Sequence, residues 1–484
     1  MKQKSKHPDW VLAQRLPKTE IRFLSGKYYL YEATSKWDPQ KKRSQKITGK
    51  LLGRITPEGF IQSDKHKLRA MSNRVLKNPP VVKEFGITHL VLTFFSGQIE
   101  LLKTHFEDLW REVVSLSVIR LVHQAPIKNT GMLFESSYLS EIFGDITLGE
   151  RMTGALYRKF GTMRNSIVSY MKNFVKEGDH LLIDATNVIS HSEGIGIAHP
   201  GYNSKRDYDP QVNLMLMFSS KLQSPVYYRV VPGNVREVSA FKATLDECGA
   251  QHVTVIADKG FYSESNVSTL EGFNAQYIIP LRRSSDLIDY SLIENKRLDK
   301  FFSFQGRYIW YTSYEIDQRK LHLFLDNNLM AREEADYLSR ITSHPEEYSI
   351  EGFHKKRTQF GTIALYTNKK ESTSAKIYED YKVRGQIETM IDAMKNTLHA
   401  DTSFMQNEDA FNGWMFINFI ALQFYYGLYK LLKEIELLSN YSPKDILLML
   451  QQIRKVKIND QWVTSEIPGK IKKLIEKLKI QPIT

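Results

Sequence analysis

Two largely apolar runs, each followed by an aspartate, limit the possible folds of this chain more than any other feature. HLLI runs into Asp184 and VTVIA runs into Asp258, with the strand-like QVNLMLMFS (211 to 219) and PVYYRVVPG (225 to 233) between them. A helical stretch, SAFKATLDEC (239 to 248), precedes the second run, and AQYIIPL (275 to 281) follows it after a short helix past Ser263. Three strands, a helix and another apolar strand predict a mixed sheet with helical cover, an α/β fold. FGTIALYTN (360 to 368) restores a strand. The polar, aromatic-rich residues 282–359, including RYIWYTSYEI and KLHLFLD, break this rhythm and read as a β-rich insertion.

The flanks differ from the core in charge and in period. Residues 1–85 hold 20 Lys and Arg against 7 Asp and Glu, so they carry all of the chain's net charge of +13. A block this concentrated favours a polyanion such as DNA or RNA. It is not a tail, because KYYLYEATSKW (27 to 37) and KITGKLLGRITPEGF (46 to 60) read as strands joined by the basic turn DPQKKRS. Tyr28, Tyr29, Tyr31 and Trp37 stand among the cations, where bases stack on a nucleic-acid surface, although strands favour aromatics for packing alone. The expected organisation is a basic β-rich module over 1–90, a helical region over 91–178, a core split into 179–281 and 360–435 by the insertion, and a helical C-terminal region over 436–484. The lone Cys248 rules out an internal disulfide and fits a reducing cytoplasm, and the basic opening residues show no signal peptide. Ala410 to Tyr429 is uncharged and long enough for a bilayer, but Asn412, Asn418 and Gln423 mark it as a buried helix, so no membrane partner is expected.

In α/β sheets functional groups gather beyond the carboxyl ends of the strands. Asp184 and Asp258 both stand there, and a single aspartate at such a place is more often a turn former. A third carboxylate comes from YKVRGQIETMIDAMK (381 to 395), read as one helix. Val383, Ile387, Met390, Ile391 and Met394 share one side of it, and Tyr381, Arg384, Glu388, Asp392 and Lys395 fall within about 80° on the other. Pairs four residues apart on such a stripe also arise as ordinary surface charge. If the strands carrying Asp184 and Asp258 are neighbours, a helix packed across their ends delivers Glu388 to them. Three close carboxylates repel one another unless cations sit among them. That is the donor set of a two-metal phosphoryl-transfer site, with two hard cations about 4 Å apart. Asp392, one turn on, is an alternative to Glu388, and Asp207 and Asp209 in KRDYDP are further carboxylates whose expected role is in a turn.

The stretch 381–395 also resembles a known signature. Tyr381, Arg384, Glu388 and Lys395 match Y-x2-R-x3-E-x6-K at every fixed position, the signature of the DDE transposases of bacterial insertion sequences, insertion-sequence family 4 group. IDATNV around Asp184, ADKGFYS around Asp258, and Gly233-Asn234 resemble further motifs of that group, and the likeness covers roughly residues 180 to 430. The resemblance implies a ribonuclease-H-like core in which Asp184, Asp258 and Glu388 are catalytic and bind two Mg2+ or Mn2+ ions. It implies that Tyr381, Arg384 and Lys395 grip DNA phosphates at the transposon end. It further implies a protein of the bacterial nucleoid that dimerises on double-stranded DNA, cuts at terminal inverted repeats and joins 3′-hydroxyl ends to target DNA. Two other readings remain beside it: a stand-alone metal-dependent nuclease, and a non-catalytic DNA-binding descendant. Relatives place a tryptophan after the second aspartate motif to stack on a flipped base, whereas this chain has Phe261 and Tyr262.

Overall fold

In the computed structural model, residues 6–39, 41–63, 80–201, 208–235, 237–294, 298, 300–458 and 460–480 are described. Asp207 and residues 64–79 of the basic block lie outside them. The chain divides into two compact units, Met1–Val82 with Lys455–Ser465, and Lys83–Arg454 with Glu466–Thr484.

The smaller unit contains the antiparallel strands β1 (Thr19–Leu24), β2 (Lys27–Asp38), β3 (Arg43–Thr56) and β4 (Gly59–Gln62), paired in that order. Its buried apolar core is Val11, Ile21, Leu30 and Ile55, and most of the long β2–β3 ribbon is exposed.

The larger unit is built on a mixed sheet. Strands β5 (His180–Ser190), β6 (Pro210–Ser219) and β7 (Ser224–Pro232) form an antiparallel meander. β8 (Thr254–Ala257) and β9 (Gln276–Pro280) add in parallel on the other side of β5. The order β7-β6-β5-β8-β9, with one antiparallel meander and two parallel strands, is the ribonuclease-H-like arrangement. The insertion does not form a separate sheet. Its strands β10 (Lys300–Phe304), β11 (Arg307–Ile316) and β12 (Arg319–Asp326) continue the same sheet through β13 (Thr362–Thr367), which pairs antiparallel with β9. Helices Asn327–Ser343 and Ile350–Lys356 fill the rest of it.

Parallel strands need cover on both faces, which explains why β8 is buried at every position and apolar after Thr254. The helix Glu408–Glu434, whose residues from Phe411 to Phe424 are almost all buried, packs on the meander, with Phe419 against Tyr228 of β7 and Gln423 donating to the Pro225 carbonyl. It crosses the helix Glu150–Gly161 so closely that a Cβ on Gly413 would lie 1.9 Å from the Tyr157 carbonyl oxygen, so only glycine fits there. Its buried Asn418 accepts a 2.7 Å hydrogen bond from Arg120 Nε, which satisfies a polar group inside the core. Among the described residues no helix is long and apolar enough to cross a membrane.

Residues 436–484, expected to be helical, also contain a hairpin, Arg454–Ile458 with Gln461–Thr464, between helices Pro443–Leu450 and Gly469–Lys477. Val456 pairs with Val463 and Lys457 with Trp462. The short β-branched and aromatic alternation outweighs the helical neighbourhood.

Candidate active site

The register of β5 and β8 brings the two aspartates together. The parallel ladder ends with Ala257 opposite Ile183, so Asp258 and Asp184 are the next residues on adjacent strands. Asp184 does not end its strand, as the sequence suggested. β5 runs on to Ser190, because β6 continues to pair with it as far as Ile189 opposite Gln211. Only its parallel neighbour stops, and that opens the space above the two carboxylates.

The stretch 381–395 also departs from a single α-helix. One helix spans Ser374–Lys382 and the next Gly385–Asp392, followed by a π-helical turn over Ala393–Thr397. At the join Arg384, Gln386 and Ile387 donate to carbonyls three residues back, those of Tyr381, Val383 and Arg384. Gly385, a weak helix former, sits at the join. π-turns in helices often mark functional sites. The inward residues Ile387, Met390 and Met394 are buried as expected, and this fixes the polar side toward the strand ends.

Arg384 is the centre of the arrangement. Its Nη2 lies 3.0 Å from Asp184 Oδ2 and 3.7 Å from Asp258 Oδ1, and its Nη1 pairs with Glu388. Three carboxylates from two strands and one helix thus converge on one cation. Asp392 instead accepts a hydrogen bond from Asn396 Nδ2, and Asp209 makes no ion pair with this cluster among the described residues. Burial pushes the Asp184 carboxyl above its ordinary range, and the Arg384 guanidinium only partly offsets this. Burial opposes the charge on Arg384, but Asp184 and Asp258 outweigh it and hold its pKa above the usual value. Burial pushes the Tyr381 hydroxyl up to about 12.

Lys395 reaches a different group. Its Nζ donates to Asn187 Oδ1 at 3.1 Å, and Asn187 in turn donates to Gln211 Oε1 at 2.8 Å. Gln211 Nε2 donates to Asn213 Oδ1 at 3.0 Å, and Asn213 Nδ2 donates to the Gly233 carbonyl at 3.2 Å. A Cβ on Gly233 would meet the Gln211 carbonyl oxygen at 1.9 Å, which accounts for glycine at the end of β7. Sequence reasoning missed Asn187, Gln211 and Asn213. Their one visible mark was polarity inside otherwise apolar strands. Phe261 is buried against Phe241, and Tyr262 donates to Glu264 Oε1 at 2.8 Å, so both aromatics after Asp258 have structural partners.

Three carboxylates around one cation position are the oxygen-only donor set that a hard divalent ion takes. Among the described residues no group of three or more His, Cys, Asp or Glu is drawn in to ligand distance of a common point, and the Arg384 guanidinium stands between these three. The donor chemistry fits a divalent cation, and the guanidinium shows that a positive charge is stable at that place.

A family model described as the transposase DDE domain matches residues 176–424. That span contains Asp184, Asp258, Tyr381, Arg384, Glu388 and Lys395. No curated protein matches the chain. Among solved structures, the chain is similar to a piggyBac transposase in a synaptic complex with hairpin DNA, at 10% identity over 76% of this chain and 79% of that one, TM-score 0.40. It is also similar to a Mos1 transposase in a paired-end complex with the left transposon end, at 14% identity over 32% of this chain and 54% of that one, TM-score 0.16.

Proposed function

The chain belongs to the family of the transposase DDE domain, and from that premise we propose that it is the transposase of an insertion sequence of the family 4 group. It binds the terminal inverted repeats of its own element in double-stranded DNA, cleaves at their ends, and joins the 3′-hydroxyl ends to target DNA. It works in the bacterial cytoplasm, as a homodimer assembled on DNA. The observation that carries this reading is the convergence of Asp184, Asp258 and Glu388 on one cation position.

Those three carboxylates would hold the divalent ions. The chemistry supplied by a bound pair of Mg2+ or Mn2+ ions is activation of the attacking hydroxyl and neutralisation of charge at the leaving oxygen. The protein positions the other groups. The fork of the Arg384 guanidinium suits a phosphate as well as a carboxylate. Arg384 would contact a phosphate beside the cleaved bond, and the Tyr381 hydroxyl, protonated at neutral pH, would donate to the same backbone. Lys395, held by Asn187, meets a phosphate further along.

The test separates cutting from binding. Replacing Asp184, Asp258 or Glu388 by Ala should lower cleavage of an end-bearing duplex by at least about 1,000-fold, while a gel-shift assay still shows the complex. Lys395→Ala should do the reverse, cutting at high protein concentration but forming no stable complex. An Asp258→Ala protein that still cuts would sink the assignment. An active Glu388→Ala beside a dead Asp392→Ala would move the third ligand by one turn.

A further inference from the structure

A groove of about 910 Å³ leads away from Asp258 across the ends of β8 and β9. Asp258, Lys259 and Tyr381 line it beside the carboxylates, and Arg282, Arg283 and Glu333 line it from residues of the insertion. Small-molecule pockets are lined mainly by apolar side chains. This one carries five charged side chains among its lining residues, and the charges are not all balanced. Arg283 Nη2 pairs with Glu333 Oε1 at 2.9 Å and donates to the Thr362 carbonyl at 3.0 Å, while Glu333 Oε2 accepts from the Gly361 N–H at 2.7 Å. That pair is satisfied within the wall. Lys259 and Arg282 are exposed and make no ion pair among the described residues. They are the groove's surplus positive charge.

The sheet order places these cations relative to the rest of the site. Lys395 is held by Asn187 on β5, Asp184 is on β5, Asp258 ends β8, and Arg282 follows β9. Across the sheet, β8 with Asp258 at its end stands between β5, whose Asn187 holds Lys395, and β9, which Arg282 follows. A polyanionic strand running from Lys395 past Asp258 would enter this groove.

We propose that the groove holds the phosphodiester backbone of the strand being cut, on the side of the cleaved bond away from Lys395, with Lys259 and Arg282 each neutralising a phosphate. The inference rests on the DNA-cleaving reading above and extends it to two residues outside the 381–395 stretch and its aspartates.

The experiment uses the full chain and two probes: a duplex copied from the DNA bordering its gene, and a supercoiled plasmid as joining target. Binding to the duplex is measured across a range of salt for the wild type and for the Lys259→Gln/Arg282→Gln double variant. Lys355→Gln serves as a control, since Lys355 is exposed and pairs with Glu351 away from the groove. The double variant should show a log–log salt slope shallower by about 1.8, close to 0.9 for each phosphate no longer neutralised, with an unchanged melting temperature. The control should keep the wild-type slope. In the wild type, an uncharged methylphosphonate at the two phosphates concerned should reproduce the loss, and it should cost the double variant nothing more. If the wild type binds and cuts the duplex and the double variant matches its slope, the groove assignment falls and the DNA-cleaving reading stands. Unchanged duplex binding with loss of joining alone also overturns it, by giving the groove to target DNA. A wild type that neither binds nor cuts the duplex brings down both.

Discussion

At Asp184 two effects oppose each other. Burial disfavours the carboxylate and the Arg384 guanidinium favours it, and burial prevails. The Asp184 pKa therefore lies above its unfolded value. Any stability this residue adds is present below the unfolded pKa and is lost as pH rises through the folded one. At neutral pH Asp184 relies on Arg384, whose side chain is only 15% exposed, as do Asp258 and Glu388. Arg384→Ala removes the cation and leaves three like charges facing one another. We expect a loss of about 2–3 kcal/mol in urea unfolding without added metal, the range for a broken, partly buried charged pair. Mg2+ should then raise the melting temperature of the variant more than that of the wild type. Arg384→Lys should recover little, because an ammonium cannot present a fork to several carboxylates at once. Equal Mg2+ responses in all three proteins would show that the guanidinium and a divalent cation do not share a place. The sequence singled out Arg384 as a phosphate-gripping position, and in the folded chain without DNA its partners are Asp184, Asp258 and Glu388. Its likeness to a phosphate-gripping position was legible, whereas its pairing with Asp184, two hundred residues earlier in the chain, depends on a strand register that no local pattern reveals.

Among the elements, those held by strong local signals were legible and those set by tertiary partners were not. The apolar runs at Leu181–Ile183 and Thr254–Ala257 marked buried strands without ambiguity. The continuation of β5 to Ser190 did not show, since it is held by pairing with β6 and by the partners Gln211 and Lys395 of Asn187. The break at Val383 and the π-turn at Ala393–Thr397 were hidden for a similar reason: their apolar spacing still fits a helix, and one low-propensity residue, Gly385, is a weak stop signal. β12 of the insertion carries a feature that burial alone makes testable. His322 is fully buried, parallel to the Phe324 ring, with Nδ1 2.8 Å from Ser374 Oγ. Burial, with a smaller effect from Lys320, pushes its imidazole from 6.5 down to about 4. A depressed pKa gives stability that is present above pH 6.5 and is lost as the pH falls from 6.5 to 4, up to about 3 kcal/mol in all. His322→Leu should cost about 1 kcal/mol at pH 7.5 for the lost hydrogen bond, yet lose less than the wild type between pH 6.5 and 4.5. Urea midpoints at the two pH values measure this, and parallel pH curves would rule the histidine out.

For the whole molecule, the charge count divides the chain more sharply than the motifs do. Residues 1–85 hold the entire excess of +13, while the remainder balances to zero and still keeps Lys259 and Arg282 unpaired beside the site. A balanced total therefore conceals local surplus, so DNA affinity should come from two sources of different character. Cations on an exposed ribbon act on any duplex as a sequence-independent, salt-sensitive term. Groups beside the carboxylates position the bond to be cut. Deleting residues 1–90 would be a poor test of this division, because Lys455–Ser465 belongs to the same compact unit and would be left without the rest of it. Neutralisation in place is cleaner. Lys36, Lys42, Arg43 and Lys50 are exposed on or beside the β2–β3 ribbon and are not part of its small core of Val11, Ile21, Leu30 and Ile55. Changing all four to Gln should leave the melting temperature within about 2 °C, since surface substitutions of this kind shift stability by less than about 0.5 kcal/mol. Affinity should fall alike for an end-bearing duplex and a scrambled one, with the salt slope shallower by about 0.9 for each cation that meets a phosphate. The rate of cutting at saturating protein should hold, because the carboxylates and the groove are untouched. A loss confined to the end-bearing duplex would instead make this ribbon the reader of the terminal repeat.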